Sequence, residues 1–445
     1  MGSGMSSEWP LISIEEIKAP GAGSIAIGPF GSRMKSDCYV DAGVRVVRGT
    51  NLTGGRSFSG EFVFITPEKA VELNSANLSP NDLVFPHRGA IGEVGIVPED
   101  GERYVLSSSL MKLTCDVARA HPDFVYYFFK SAIGRFELLK NSSQVGTPGI
   151  GQPLTSLKQI KLRLPPVGEQ VAIAAALRAL DDRIALLRDT NATLEAIAQA
   201  LFKSWFVDFD PVRAKSQGLA PAGMDEATAA LFPEGVEESA LGPVPRGWRA
   251  ATLAETFEIN PSRSLPKDSE AKYLEMAGVP TTGHCAESIA VRAFGSGTKF
   301  RNGDTLLARI TPCLENGKTA FVDFLVEDEI GWGSTEFIVL RPKAPLPDYF
   351  AYLLCRHAPF REFAERSMSG TSGRQRVQND VLATYRIAVP PSAVAEAFGA
   401  LINPLRHAIT SNHARGATLG ALRDALLPRL ISGQLRLPDA VALAA

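Results

Sequence analysis

At 445 residues the chain is long enough for two to four domains, and its 45% hydrophobic fraction is ample for folded cores. A formal net charge of −2 excludes a protein coated in positive charge, although a local basic cleft could still meet phosphates. The five cysteines (Cys38, Cys115, Cys285, Cys313, Cys355) form no C-x-x-C pair and no apolar run approaches the ~20 residues of a membrane span, so a zinc site, a disulfide framework and a membrane protein are disfavoured and a reducing, cytoplasmic setting is expected.

Met1-Gly2-Ser3-Gly4-Met5 reads as a cloning scar ahead of a natural start, not as a signal peptide, so residues 1–8 are expected to be a tag-like, disordered start. Residues 9–164 read as a first globular unit. Its short apolar segments, such as Ser24–Gly28 and Val44–Arg48, are separated by Gly, Pro and Asn, as in strands joined by turns. Asn81–Phe85 reads as a strand that continues through His87 and Arg88 into a glycine-rich turn. Val105–Leu113 reads as another strand pair or bend, followed by one or two helices near 122–140. Gln144–Gln152 is a polar loop, and Ile160–Leu164 a last strand.

Pro165-Pro166 then opens the stretch on which the chain is organised. Apolar residues at Ile173, Leu177, Leu180, Ile184, Leu187, Leu194, Ala198, Leu201 and Trp205 alternate steps of four and three, with Asn191 in the one gap. This is a heptad seam, the pattern of a helix lying along another helix. Taken from Val167 to Val207, such a helix is roughly 60 Å long at about 1.5 Å per residue. It needs a partner of similar length, because a single core helix rarely exceeds about 20 residues. A long spacer helix is therefore expected over 165–210. Residues 211–246, rich in Pro, Gly, Ala and acidic side chains, read as a linker with a small apolar island at Leu231-Phe232-Pro233.

A second unit over 247–389 repeats the plan in a different sequence. Gly303–Ile310 answers Asn81–Phe85, and Ser369–Arg376 answers the 144–152 loop. Pro390-Pro391 opens a second long helix, over 390–437, with apolar residues at Phe398, Ile402, Leu405, Ile409, Leu419, Leu422, Leu426 and Leu430. Pro404 predicts a kink in it, Pro428 an end or kink at Leu427, and Gly433 a C-terminal stop before a tail at 438–445. An offset of 225 residues, from position 165 to position 390, maps Ile173 onto Phe398, Leu177 onto Ile402, Leu180 onto Leu405, Ile184 onto Ile409, Leu194 onto Leu419 and Leu201 onto Leu426. The same offset maps Pro122-Asp123 onto Pro347-Asp348, each opening an aromatic-rich helix. Three landmarks in one order argue for an internal duplication. Asn191 and Asn412 are compatible either with polar residues that fix the register of a seam or with an imperfect, solvated seam.

No catalytic constellation is found. Leu314–Thr319 resembles the end of a phosphate-binding loop, but Pro312 stands where its first glycine belongs. Gly89, Gly92 and Gly95 read as turns. There is no H-E-x-x-H, no Asn-Pro-Pro or Asp-Pro-Pro followed by an aromatic residue, and no ligand spacing among the six histidines. No metal site and no cofactor are expected in this chain. The polar loops are more suggestive: arginine forks match guanine edges and Gln or Asn pairs with adenine. His87, Arg88, Gln144, Thr147 and Gln152 in the first unit, and Arg309, Thr371, Arg374, Gln375 and Arg376 in the second, are the candidate DNA-binding residues, although an arginine in a polar loop is often merely solvated. The candidate seam and partner-binding residues are Leu177, Leu180, Ile184, Leu194, Leu201, Ile402, Leu405, Ile409, Leu419 and Leu426.

Several stretches carry a resemblance. Phe202–Pro211, Leu231-Phe232-Pro233, Leu241–Trp248, Ala308–Lys318 and Leu426–Leu435, with the Pro-Pro entry to each long helix, resemble recurrent signatures of the specificity subunits of Type I restriction-modification systems, and the likeness runs along nearly the whole chain. The second helix entry departs, with Ser392-Ala393-Val394 where the first has Val167-Gly168-Glu169, and the 144–152 loop is looser than the family's. The resemblance implies an α+β architecture: two α/β target-recognition domains separated by two long helices that pair as an antiparallel coiled coil, with pseudo-two-fold symmetry from the duplication. It implies a non-catalytic DNA reader, each recognition domain taking half of an asymmetric bipartite site, the half-sites separated by on the order of one helical turn or a little more. It further implies double-stranded DNA as ligand, two methyltransferase (modification) subunits docked on the helices, and motor-nuclease (restriction) subunits; S-adenosylmethionine, ATP and Mg2+ are expected on those partners. The competing classes are a coiled-coil protein scaffold without DNA specificity and a self-contained DNA methyltransferase or nuclease.

Overall fold

The structure is a computed structural model that describes residues 9–30, 33–143, 146–371 and 373–437; the expected start at 1–8 and tail at 438–445 lie outside them. The chain divides into two compact units, Met1–Ile184 with Thr418–Ala445, and Ala185–Ala417. The division cuts through both long helices, so each unit owns one half of each helix.

In the first unit, Leu11–Ser13 pairs antiparallel with Lys161–Arg163, Ile12 opposite Leu162. This returns the chain to its own start just before the long helix. The short helix Ile14–Ile17 follows at once because Ser13 and Glu16 close a capping box. A four-stranded antiparallel sheet runs in the order Ile25–Ile27, Leu110–Leu113, Leu83–Pro86, Gly95–Ile96. A five-stranded sheet adds Tyr39–Val40, Val63–Ile65, Val44–Val47, Tyr104–Leu106 and Asn77–Leu78. The helix Pro122–Lys130 buries every residue from Pro122 to Phe129, with the one carboxylate among them, Asp123, paired to Arg56 at 2.7 Å. Ser131 then caps Ala132–Leu139 by accepting a hydrogen bond from the Gly134 amide.

The second unit repeats this plan. Arg249–Thr252 pairs antiparallel with Arg386–Val389, and a Thr252–Glu255 capping box opens Leu253–Thr256. The four-stranded sheet is Phe257–Ile259, Phe337–Pro342, Thr305–Ala308, Thr319–Phe321, and the helices are Tyr349–Arg356 and Ala358–Arg366. Its second sheet, Ala290–Ala293, Glu270–Leu274, Gly331–Gly333, Thr298–Phe300, has four strands.

The first long helix is Val167–Phe206 (40 residues) and the second Ser392–Ser432 (41 residues). Within each unit their halves run antiparallel. In the first unit Ile173, Ala174 and Leu177 share a core with Leu427, Leu430 and Ile431, and Asp181 and Arg423 pair at 2.6 Å. In the second, Phe202, Trp205 and Phe206 share a core with Phe398 and Ile402. Leu177, Ile184, Ile402 and Ile409 are buried; Leu180, Leu194, Leu201, Leu405, Leu419 and Leu426 are half-buried. The two seam asparagines meet: Asn412 Nδ2 donates to Asn191 Oδ1 (3.0 Å), and Asn191 Nδ2 to the Ile409 carbonyl (3.1 Å).

One expectation for the second helix is corrected: Pro428 does not end it. It continues as one helix through Pro404 and Pro428. Pro404 and Ala400 both lie on the exposed face, so the carbonyl deprived of its amide partner can take water instead. The stop comes at Gly433, in the left-handed conformation (φ +74°), where the Leu435 amide reaches back to the Arg429 carbonyl (3.1 Å). The stretch expected to be a linker is folded as well. It forms the helices Asp210–Ser216 and Glu226–Ala230 and a hairpin of Val236–Ser239 with Gly242–Pro245. Three of its apolar residues reach inward: Val212, Phe232 and Val244 are buried in the core of the second unit.

Candidate nucleic-acid interface

In the first unit, the site is built by strand Leu83–Pro86, which delivers His87 and Arg88 to a turn. One end of that strand is pinned by Asp82, fully buried, which accepts from Lys112 Nζ (3.1 Å), Thr114 Oγ1 (2.5 Å) and the Ser79 amide (2.9 Å). The other end is zipped to the second loop. Ile150 N donates to the His87 carbonyl and Gly89 N to the Pro148 carbonyl, both at 2.9 Å, with Arg88 bridged to Gly149 between them. The His87 amide in turn donates to the Ser109 carbonyl (2.9 Å).

The second unit uses the same scaffold. Asp304, fully buried, heads strand Thr305–Ala308 and accepts from Arg341 Nε (2.7 Å), Arg263 Nη2 (2.7 Å) and the Arg301 amide (2.8 Å). Past the strand, Val377 N donates to the Arg309 carbonyl (2.9 Å) and Thr311 N to the Gln375 carbonyl (3.0 Å), with Ile310 bridged to Arg376 between them. The Arg309 amide donates to the Glu336 carbonyl (3.0 Å). Bond for bond, Arg309 therefore occupies the place of His87, Glu336 that of Ser109, and Arg376 that of Gly149.

The backbones agree and the side chains do not. Where the first unit has Ser109 and Gly149, the second has an ion pair: Arg376 Nε and Nη2 donate to the Glu336 carboxylate at 2.7–3.0 Å. The Arg376 hydrogen bonds hold the Glu336 carboxyl below its ordinary range. Arg309 is half-buried, with Nη2 on Gln378 Oε1 at 3.4 Å. His87 is turned inward, 6% exposed, with Nε2 on the Ser108 carbonyl (3.0 Å). Burial keeps its imidazole pKa below the usual value, so it is neutral near pH 7. Its ring stands beside that of Phe30, which is 54% exposed.

The expected contact residues thus separate. Arg88, Thr147 and Gln152 of the first unit, and Thr371 and Arg374 of the second, are exposed, and Gln375 is half-exposed. The guanidinium groups of Arg88 and Arg374 have no hydrogen-bond or ion-pair partner among the described residues. His87, expected as a DNA contact, is buried at the turn, with its ring on the Ser108 carbonyl. Arg376, expected as a DNA contact, is paired with Glu336 while its side chain stays 40% exposed. Gln144 lies outside the described residues. Sequence reasoning missed Asp82, Asp304, Ser109 and Glu336. The first two were legible as the Asp that heads each answering strand; Glu336 had no local signal. Among the described residues, no cluster of His, Cys, Asp and Glu could hold a metal ion, and no helix is long and apolar enough to cross a membrane.

Residues 31–196 match the family described as the Type I restriction modification DNA specificity domain. The chain is 25% identical over 414 residues to the Type I restriction enzyme MjaIX specificity subunit of Methanocaldococcus jannaschii, covering 85% of each. It is 25% identical over 402 residues to the HindI specificity subunit of Haemophilus influenzae, covering 80% of this chain and 87% of the relative. It is 32% identical over 166 residues to the EcoAI specificity subunit of Escherichia coli, covering 36% of this chain and 28% of the relative. In fold it is similar to the S subunit of the Type I restriction-modification system of M. genitalium, with a TM-score of 0.57 at 15% identity over 97% of this chain and 98% of the other. Residues 31–196 thus match a Type I restriction modification DNA specificity domain, and over most of its length the chain is similar to specificity subunits of Type I restriction enzymes.

Proposed function

We propose that this chain reads DNA for a Type I restriction-modification complex, each unit taking one half of an asymmetric bipartite site. The observation that carries this reading is the repeated pair of zipped loops, identical in backbone bonding and different in side chains. A scaffold that binds only protein has no need to keep two such loops on buried aspartate anchors while changing what they display. Two copies of one frame with different groups suit two different half-sites. The exposed arginines supply forks for base edges and charge for phosphates. In this reading 9–164 and 247–389 are the target-recognition domains, and the long helices are the spacer and the docking surface for methyltransferase subunits. Those partners carry S-adenosylmethionine and the methyl transfer, and motor-nuclease subunits use ATP.

The test is methylation mapping by single-molecule sequencing in cells that express the chain with its methyltransferase partner. An asymmetric bipartite motif, with one modified adenine in each strand, is expected. Exchanging residues 9–164 for those of another specificity subunit should change one half-site and leave the other. A complex that binds all duplexes equally, or a motif changed in both halves by that exchange, would overturn the reading.

A further inference from the structure

The Glu336–Arg376 pair is the largest chemical difference between the two loop frames, and it lies two residues from an unpaired arginine. From this we infer that Arg374 is the base-reading side chain of the second unit and that Glu336 with Arg376 is a brace that positions it, whereas the first unit presents Arg88 from the opposite member of the loop pair. The inference rests on the DNA-reading function proposed above.

Three observations support it. First, Arg376 is tied down: its Nε and Nη2 are bonded to the Glu336 carboxylate. A bidentate guanine contact needs two parallel N–H groups, and Arg374 is the guanidinium of this loop that keeps all of its N–H groups without a partner among the described residues. Second, the remaining Arg376 nitrogen, Nη1, donates to the carbonyl of Arg374 (3.4 Å), so the brace touches the residue it would position. The same loop is drawn tight elsewhere. The Arg374 amide donates to the Thr371 carbonyl (2.9 Å), and a Cβ at Gly370 (φ +130°) would stand 3.2 Å from the Arg374 carbonyl oxygen. Third, the Arg374 side chain is exposed and has no partner among the described residues. In the first unit Gly149 replaces Arg376, and no such brace is found among the described residues. There the unpartnered guanidinium is that of Arg88, fixed by its bridge to Gly149 at the tip of the buried strand.

The experiment uses the complex of the chain with its methyltransferase partner and a panel of duplexes carrying every single-base change in each half-site. Arg374→Ala should relax discrimination at one base pair of the second half-site by about tenfold to a hundredfold and leave the first half-site unchanged. Arg374→Lys should not rescue it, since an ammonium is a point charge without a fork. Arg88→Ala should do the same in the first half-site only. Glu336→Gln and Arg376→Ala should lower discrimination at the same base pair as Arg374→Ala, and the reversed pair Glu336→Arg with Arg376→Glu should restore it. Exposure of Arg374 makes its variants safe for folding. The assignment is overturned if Arg374→Ala weakens all duplexes alike and only lowers the salt dependence of binding, as a phosphate contact would. It is equally overturned if Arg376 variants change the preferred base and the reversed pair fails to restore it. A wild-type complex with no sequence preference would sink the proposed function as well. Normal preference with an inert Arg374→Ala would sink this inference alone.

Discussion

Phe232 offers a direct test of whether residues 211–246 are a linker or part of a core. Its ring is 2% exposed and stands edge-on to Trp205, centroids 5.0 Å apart at 89°, with Trp248 at 6.4 Å. Trp205 in turn meets Phe398 of the second long helix, at 5.5 Å. Phe232→Ala removes a buried ring from between two tryptophans. Lost transfer energy and the residual cavity together cost about 3–5 kcal/mol. With a urea slope of about 2 kcal/mol/M, the midpoint of the second unit should fall by roughly 1.5–2.5 M. Tryptophan fluorescence reads that transition, since Trp205 and Trp248 both border the site. Leu231→Ala is the control: its neighbour in sequence is 37% exposed and should shift the midpoint far less. A linker residue would change stability by no more than about 0.5 kcal/mol. A Phe232→Ala midpoint within that range would refute the packed connector and the aromatic cluster built on it.

Two further outcomes are expected. The asparagines of the seam should behave as a unit: Asn412→Leu alone leaves Asn191 Oδ1 without its donor and should cost about 1 kcal/mol, whereas Asn191→Leu with Asn412→Leu should be nearly neutral in a thermal melt, because both partners become apolar. Additive losses in that double-mutant cycle would show that the two do not interact. His87 gives a pH signature. Its folded pKa is lowered by burial, so as pH falls below about 6.5 the unfolded chain takes up a proton that folded His87 resists, and stability drops. His87→Gln should flatten that fall in a series of melts between about pH 7 and pH 5; an unchanged slope would place the imidazole in solvent.

What could be read from the sequence was whatever repeats locally. The apolar steps from Ile173 to Trp205 define a helix by periodicity alone, and the helix observed, Val167–Phe206, ends one residue from the expected Val207. The 225-residue offset exposed the duplication, and the order of the antiparallel four-stranded sheet in the two units agrees with it. Pro428, read as a possible helix end, misled because a local rule was read without its surroundings. Each proline lies within a helix whose packing on both sides holds it together, and Pro404 and Ala400 lie on its exposed face.

Tertiary structure decided which side chains are displayed. The sequence marks His87, Arg309, Arg374 and Arg376 alike, as polar residues in polar stretches. Only strand register turns His87 inward, and only the fold brings Glu336 across 40 residues to capture Arg376. The anchoring of 211–246 has the same origin, with Val212, Phe232 and Val244 scattered through a Pro- and Gly-rich stretch and gathered by folding into one core. Periodicity is a property of neighbours along the chain, so sequence alone determined the helices and the repeat. Exposure and pairing are properties of neighbours in space, so the identity of the free arginines was settled only by the tertiary structure.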